Sequence, residues 1–275
     1  MTRPAYLLAT ALLLAVPEFS AAAEVRFDGN LTQGGLVVGH TDPGSSVTVD
    51  GRPLRVSAAG EFLLGFDRDA PASVELSITG PTGIKQVQTL AVVRRDFPVQ
   101  RIDGLAPQQV TPDPKALKRI KEEAALIAAA KARDSAVPFF RSGFVWPVAG
   151  RVSGVYGSQR ILNGEPRAPH GGVDIAAPKG TPVVATAEGT VSLTHDNLFF
   201  TGKTVMIDHG FGLASVYAHL DTVTVRPGQA VAKGAPIGTV GATGRATGPH
   251  LHWGVSLFEV RLDPALLAAP VLAGQ

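Results

Sequence analysis

Six of the seven histidines lie beyond residue 169, and three local patterns among them combine residue types that hold metals and move protons. His170-Gly171-Gly172-Val173-Asp174 sets an imidazole four positions before a carboxylate. Tyr217-Ala218-His219 ends a strand-like run on a histidine, and His250-Leu251-His252 separates two histidines by one residue. Zinc takes His nitrogens and carboxylate oxygens, and a catalytic zinc site keeps three protein ligands and one open position. A His/His/Asp set meets that rule without thiolates. The sequence has no cysteine, which excludes disulfides and sulfur ligands alike. Imidazoles left over beside a Lewis acid are the groups that metal-assisted hydrolysis uses to accept and return protons.

Spacing constrains how these residues meet. Residues 170 and 174 would lie about 13 Å apart in a fully extended chain, too far for one metal. Gly171-Gly172 lets the chain fold back through unusual dihedrals. A helix would also bring positions four apart together, but paired glycines before Val173 and Ile175 disfavour one. His250 and His252 project from the same side of a strand, roughly 7 Å apart. One of them would ligate, and its neighbour would face the attacking water or the scissile carbonyl. The other histidines take structural readings first. His195 reads as a loop residue, His209 as a hairpin turn and His40 as a solvated loop position. Substrate contact is the secondary reading for His195 and His209.

The elements that must position these residues are strands. Residues 181–185, 189–193, 204–208, 214–218 and 251–257 are strand-like and separated by glycine or proline, with no amphipathic helix between them. An antiparallel sheet or sheet pair with long surface loops is expected. Upstream, residues 24–96 alternate with period two in short runs such as Ser46–Val49 and Val74–Thr79, which suggests a small β-sandwich of immunoglobulin-like layout. The organisation expected is a signal peptide over 1–23, a β-sandwich over 24–96, a linker with a helix over 97–140 and a catalytic domain over 141–275. In the linker, Asp113 and Pro114 supply an N-cap and first helical position for a helix over Lys115–Arg133. Its stripe of Leu117, Ile120, Ala124, Ile127 and Ala128 would pack lightly on a neighbour or gate the catalytic groove.

Arg3, the apolar run Ala5–Val16, Pro17 and Ala21-Ala22-Ala23 have the layout of a cleaved secretory signal. The run is shorter than the roughly 20 residues that span a bilayer, so no membrane span is expected after cleavage. The missing cysteine excludes a lipoprotein anchor. Export, to a periplasm by its signal type, is the expectation. A net charge of +2 without a Lys/Arg block argues against nucleic acid as a partner.

From Phe144 to Leu267 the sequence resembles the M23 family of zinc metallopeptidases, the lysostaphin-like or LytM-type endopeptidases. The resemblance is carried by Gly154-Val155-Tyr156-Gly157, Asn163-Gly164, His170-Gly171-Gly172-Val173-Asp174-Ile175-Ala176, Tyr217-Ala218-His219-Leu220, Gly248-Pro249-His250-Leu251-His252-Trp253 and Asp263-Pro264. It implies one zinc ion per chain held by His170, Asp174 and His252, with His219 and His250 as the catalytic pair. It also implies a groove-bearing antiparallel β fold and a peptidoglycan stem-peptide or cross-bridge substrate. Arg160 and Asn163 would line the groove. Some members of this fold are non-catalytic regulatory or wall-binding modules, the competing reading; they characteristically lack metal ligands, whereas all five positions are filled here.

Overall fold

The computed structural model describes residues 24–269; the signal-peptide assignment for residues 1–23 lies outside the described residues. Seven strands come first: β1 (Arg26–Gly29), β2 (Leu36–His40), β3 (Ser46–Val49), β4 (Arg52–Leu54), β5 (Glu61–Gly65), β6 (Ser73–Thr79) and β7 (Lys85–Ala91). They form a three-stranded sheet, β1-β2-β5, and a four-stranded sheet, β4-β3-β6-β7, both antiparallel. Val37, Phe62 and Leu64 from the first meet Val47, Leu76, Ile78 and Leu90 from the second in one core.

Strand β5 is where period-two reasoning fails. Phe62-Leu63-Leu64 is an unbroken apolar run because both faces of the strand are buried. Phe62 and Leu64 face the N-terminal core, while Leu63 joins the core that contains Trp253 and Leu262. Gly65 extends this contact, since a Cβ there would lie 3.2 Å from Leu257 and Leu262. The two β units are therefore packed together through one strand. Arg95 ties them again, with Nη2 2.8 Å from Asp263 Oδ2.

Between the units lie β8 (Val99–Ile102), a short turn α1 (Pro107–Val110) and helix α2 (Pro114–Lys131). Asp113 caps α2 by accepting the Ala116 N–H at 2.7 Å, with Pro114 in the first turn, as the sequence suggested. The buried face matches the expected stripe in part: Ile120 and Ile127 are half-buried, Leu117, Ala124 and Ala128 are exposed, and Ala130 is buried. Contact with the next unit runs through polar groups: Glu123 Oε2 accepts the Phe199 N–H at 2.7 Å, and Arg119 donates to the Asn197 carbonyl.

The C-terminal unit comprises β9 (Arg151–Gly154), β10 (Gln159–Leu162), β11 (Glu165–Pro166), β12 (Val173–Ala176), β13 (Pro182–Val184), β14 (Gly189–Leu198), β15 (Gly202–Asp208), β16 (Leu213–Val223), β17 (Ala230–Val231), β18 (Pro236–Val240), β19 (His250–Leu257) and β20 (Val260–Leu262). Ten of these form one sheet with the main path β17-β14-β15-β16-β19-β12-β9. Its pairings are antiparallel, and Tyr217, Trp253, Ile175 and Leu213 are completely buried within its core. Strand β8 pairs in parallel with β10, Gln159 opposite Val99 through Leu162 opposite Ile102, and so brings the linker to the edge of this unit.

Candidate metal and catalytic site

Central strands β12, β16 and β19 set the site. Asp174 is directly opposite His252 across β12–β19, and His252 is directly opposite Ala218 across β16–β19. Side chains at paired positions share a face, so register alone brings Asp174 and His252 together. His252 Nδ1 lies 2.8 Å from Asp174 Oδ1. His170 arrives from the loop before β12, and its Nε2 lies 3.0 Å from both Asp174 Oδ1 and His252 Nδ1. These three ligand atoms form the one group of metal-binding type found among the described residues.

The glycine pair works differently from the dihedral argument. Neither Gly171 nor Gly172 takes a positive φ. The requirement at Gly172 is space: a Cβ there would lie 2.3 Å from the Trp253 carbonyl oxygen and 3.0 Å from His252 Cε1. Glycine lets the His170 loop lie flat against β19.

His219 does not end its strand. Strand β16 runs on to Val223, and His219 sits inside it at φ +62°. Between Tyr217 and Leu220 the strand takes three steps while partner β15 takes two, from Val205 to Lys203. This bulge interrupts the simple alternation that would send residues 218 and 219 to opposite faces. The result is a ring pair, with His219 centred 4.6 Å from His250 and 6.2 Å from His252. A left-handed non-glycine residue in a strand is costly, and such strain concentrates at functional sites.

Three imidazoles have their tautomers fixed by backbone carbonyls. The Nδ1–H of His170 donates to Val155 O at 3.1 Å, that of His219 to Thr243 O at 2.8 Å and that of His250 to Gly248 O at 2.8 Å. In each neutral ring the Nε2 lone pair is left over. Burial pushes His170 down to about 4, against the pull of Asp174. Burial and then the neighbouring His250 and His252 push His219 down to about 3. Burial works against the Asp174 charge, but His170 and His252 outweigh it and hold the carboxyl well below the usual carboxylate range.

With its Nδ1–H given to Val155 O, a neutral His170 ring turns its Nε2 lone pair towards an Asp174 oxygen 3.0 Å away. Two acceptors at that distance repel, and a cation between them removes the conflict. The donor set of two imidazole nitrogens and one carboxylate oxygen fits zinc. The carbonyl contact to His170 is the kind of outer support that orients metal-binding histidines.

Asp174 has a further partner. Its Oδ2 lies 2.5 Å from Arg160 Nη2. Arg160 lines a groove of about 260 Å³ together with Asp174, His219, His250 and Arg245, so its groove position agrees with the sequence reading. Asn163 does not line it. At φ +48° it instead clasps the linker, donating to Leu105 O at 2.8 Å and accepting the Leu105 N–H at 3.2 Å. Gln100, Ile102 and Leu105 of the linker form one groove wall, and no residue of α2 lines it, so the gating position suggested for the helix is not observed.

The remaining histidines depart from their sequence readings in different ways. His195 lies on β14 rather than in a loop, accepting the Asn197 N–H at 3.0 Å. His40 ends β2, 2.9 Å from Asp28 Oδ2. His209 does lie between β15 and β16, but is fully buried, bonded to Glu188 O at 2.7 Å and Ser215 Oγ at 2.8 Å. Burial lowers it to about 4, so the unfolded chain binds that proton more readily. Stability should therefore fall as pH drops from 6.5 through about 4, by about 3 kcal/mol for this group. Urea unfolding at acidic and neutral pH measures this, and His209→Gln should flatten the dependence.

Comparison with known proteins bears on this geometry. The sequence profile of peptidase family M23 matches residues 168–264, which contain all five clustered residues. A crystal structure from Pseudomonas aeruginosa assigned to peptidase M23 aligns with a TM-score of 0.65 and 34% identity, over 86% of this chain and 93% of that one. This chain belongs to peptidase family M23. Within that family it is similar to the peptidoglycan DD-endopeptidase ShyA of Vibrio cholerae, at 45% identity over 86 residues, 31% of this chain and 20% of that protein. It is also similar to the cell division protein DipM of Caulobacter vibrioides, at 33% identity over 157 residues, 57% of this chain and 24% of that protein. The matched segments are thus a fifth to a quarter of those M23 relatives' lengths.

Proposed function

We propose that this chain is an exported zinc endopeptidase that hydrolyses peptide cross-links or stem peptides of bacterial peptidoglycan. The observation that carries the reading is the convergence of His170, Asp174, His252, His219 and His250 in one cluster, with Asp174, His219 and His250 lining a groove. The named activity of the ShyA relative supports the substrate class. Export rests on the N-terminal pattern of residues 1–23, and a periplasmic site of action agrees with a wall substrate.

His170 Nε2, His252 Nδ1 and Asp174 would hold the zinc ion. A bound zinc ion supplies Lewis-acid polarisation of the scissile carbonyl and lowers the pKa of a water nucleophile towards about 7. The chain's own residues do the rest. His219 and His250 each present an Nε2 lone pair fixed by an Nδ1–H bond to the backbone, so either can take the water proton. The protonated ring then donates that proton to the leaving amine. The paired rings, 4.6 Å apart, keep donor and acceptor within one side chain of each other.

Incubation of purified sacculi with the zinc-loaded protein tests the reading. Soluble muropeptides, with mass spectra showing a cut peptide bond, are the expected products. Tight binding without release would instead identify a wall-binding module.

A further inference from the structure

The Asp174 carboxylate is divided between two sets of partners. Its Oδ1 faces the ligand histidines, 2.8 Å from His252 Nδ1 and 3.0 Å from His170 Nε2. Its Oδ2 goes to Arg160 Nη2 at 2.5 Å, and both of these side chains are largely buried. A carboxylate can give a metal ion one oxygen or both. Here one oxygen meets the imidazoles and the other is occupied.

Backbone geometry prepares this division. Asp174 pairs with Gly154 of β9, and β9 bulges there: the single step from Asp174 to Ile175 spans two on β9, Gly154 to Val152. The absent side chain at Gly154 leaves room for the carboxylate, since a Cβ there would lie 2.6 Å from Oδ2. Arg160 arrives from a different sheet, the three-stranded β11-β10-β8, where it lies opposite Gln100 of the linker. Its bonding pattern sets it apart from its neighbours. Arg167 donates to the Val110 and Pro166 carbonyls, and Arg95 donates to the Gln33 carbonyl, so both serve the backbone. Arg160 spends Nη2 on Asp174 and leaves its buried Nε without a hydrogen-bond partner. Buried donors are normally paired, so packing alone does not account for a guanidinium at this position. Its contact with Oδ2 does.

We propose that Arg160 is a positioning residue that holds Asp174 Oδ2 out of the metal site, so that the carboxylate ligates through Oδ1 alone. This rests on the hydrolase reading of the same site. A catalytic zinc site keeps three protein ligands and one open position. A freed Oδ2 could turn inward and fill the position that the reaction needs. Groups behind a metal ligand set its orientation, and their loss typically costs about 10–100-fold in metal affinity or activity. Because Arg160 lies opposite Gln100, the linker strand β8 is part of what holds this arginine in place.

The test loads the full chain with cobalt(II), whose visible absorption weakens as a four-coordinate site becomes five-coordinate, and compares wild type with Arg160→Gln. Both should bind one cobalt ion per chain, because the three ligands are unchanged, and the variant should absorb more weakly. Its zinc-loaded form should lose about 10–100-fold in kcat on cross-linked muropeptides, with KM little altered. Arg160→Lys keeps a charge beside Oδ2 and should fall between the two in both measurements. Where Arg160→Gln fails to fold, the lysine variant against wild type carries the same comparison. Identical cobalt spectra in wild type and variant would overturn the positioning role, whatever happened to turnover. A raised KM beside an unchanged spectrum would make Arg160 a substrate contact instead. The spectra need no substrate, so a wild type that cleaves nothing would sink the hydrolase reading separately.

Discussion

Replacing His252 with alanine is expected to remove the metal and, with it, hydrolysis. His252 Nδ1 is 2.8 Å from Asp174 Oδ1 and 3.0 Å from His170 Nε2, so the variant leaves only two of three ligand atoms. Loss of an outer-shell partner alone typically costs about 10–100-fold in metal affinity. Loss of a ligand should exceed that. The fold should survive, because β12 and β19 pair through main-chain bonds that alanine keeps, and His252 is only half-buried. Competition for zinc against a fluorescent chelator measures the loss, with thermal unfolding as the control. A variant that binds zinc as tightly as wild type would remove His252 from the ligand set.

His250→Ala should separate chemistry from binding. His250 Nε2 is 4.0 Å from Asp174 Oδ1, beyond hydrogen-bond range of the proposed ligand set, while its ring lies 4.6 Å from His219. The variant is expected to hold zinc at the wild-type stoichiometry and to lose about 10²–10⁴-fold in kcat, the usual worth of a positioned acid or base. His219→Ala should have a similar kinetic effect. Its interpretation needs a stability measurement as well, because that residue sits at φ +62° in the bulge of β16. Unchanged turnover in His250→Ala would contradict the proton-transfer role.

How much of this could be read from the chain depends on which physical rule controls each residue. Period two along a strand was enough to put His250 and His252 on one face, and β19 shows them so. Residue type and spacing were enough to single out His170 and Asp174, but not to explain how they meet. The loop before β12 provides the approach, and Gly172 is required by the closeness of the Trp253 carbonyl rather than by its dihedrals. His219 depends on a bulge set by register against β15, which no local pattern encodes. Strand β5 was invisible to alternation because its two faces serve two cores. The helix α2 was legible in extent and capping, since those are local, whereas its buried face follows from contact with Phe199 and Asn197. Buried His209 looked like a turn residue because nothing in Asp208-His209-Gly210 reports the Ser215 hydroxyl waiting across the hairpin.

Metal content and peptide hydrolysis, followed together on the same preparation, test the central claim most directly. Chelation should strip one zinc ion per chain and abolish release of muropeptides from sacculi, and one added equivalent of zinc should restore it. Undiminished hydrolysis by the metal-free protein would contradict the account.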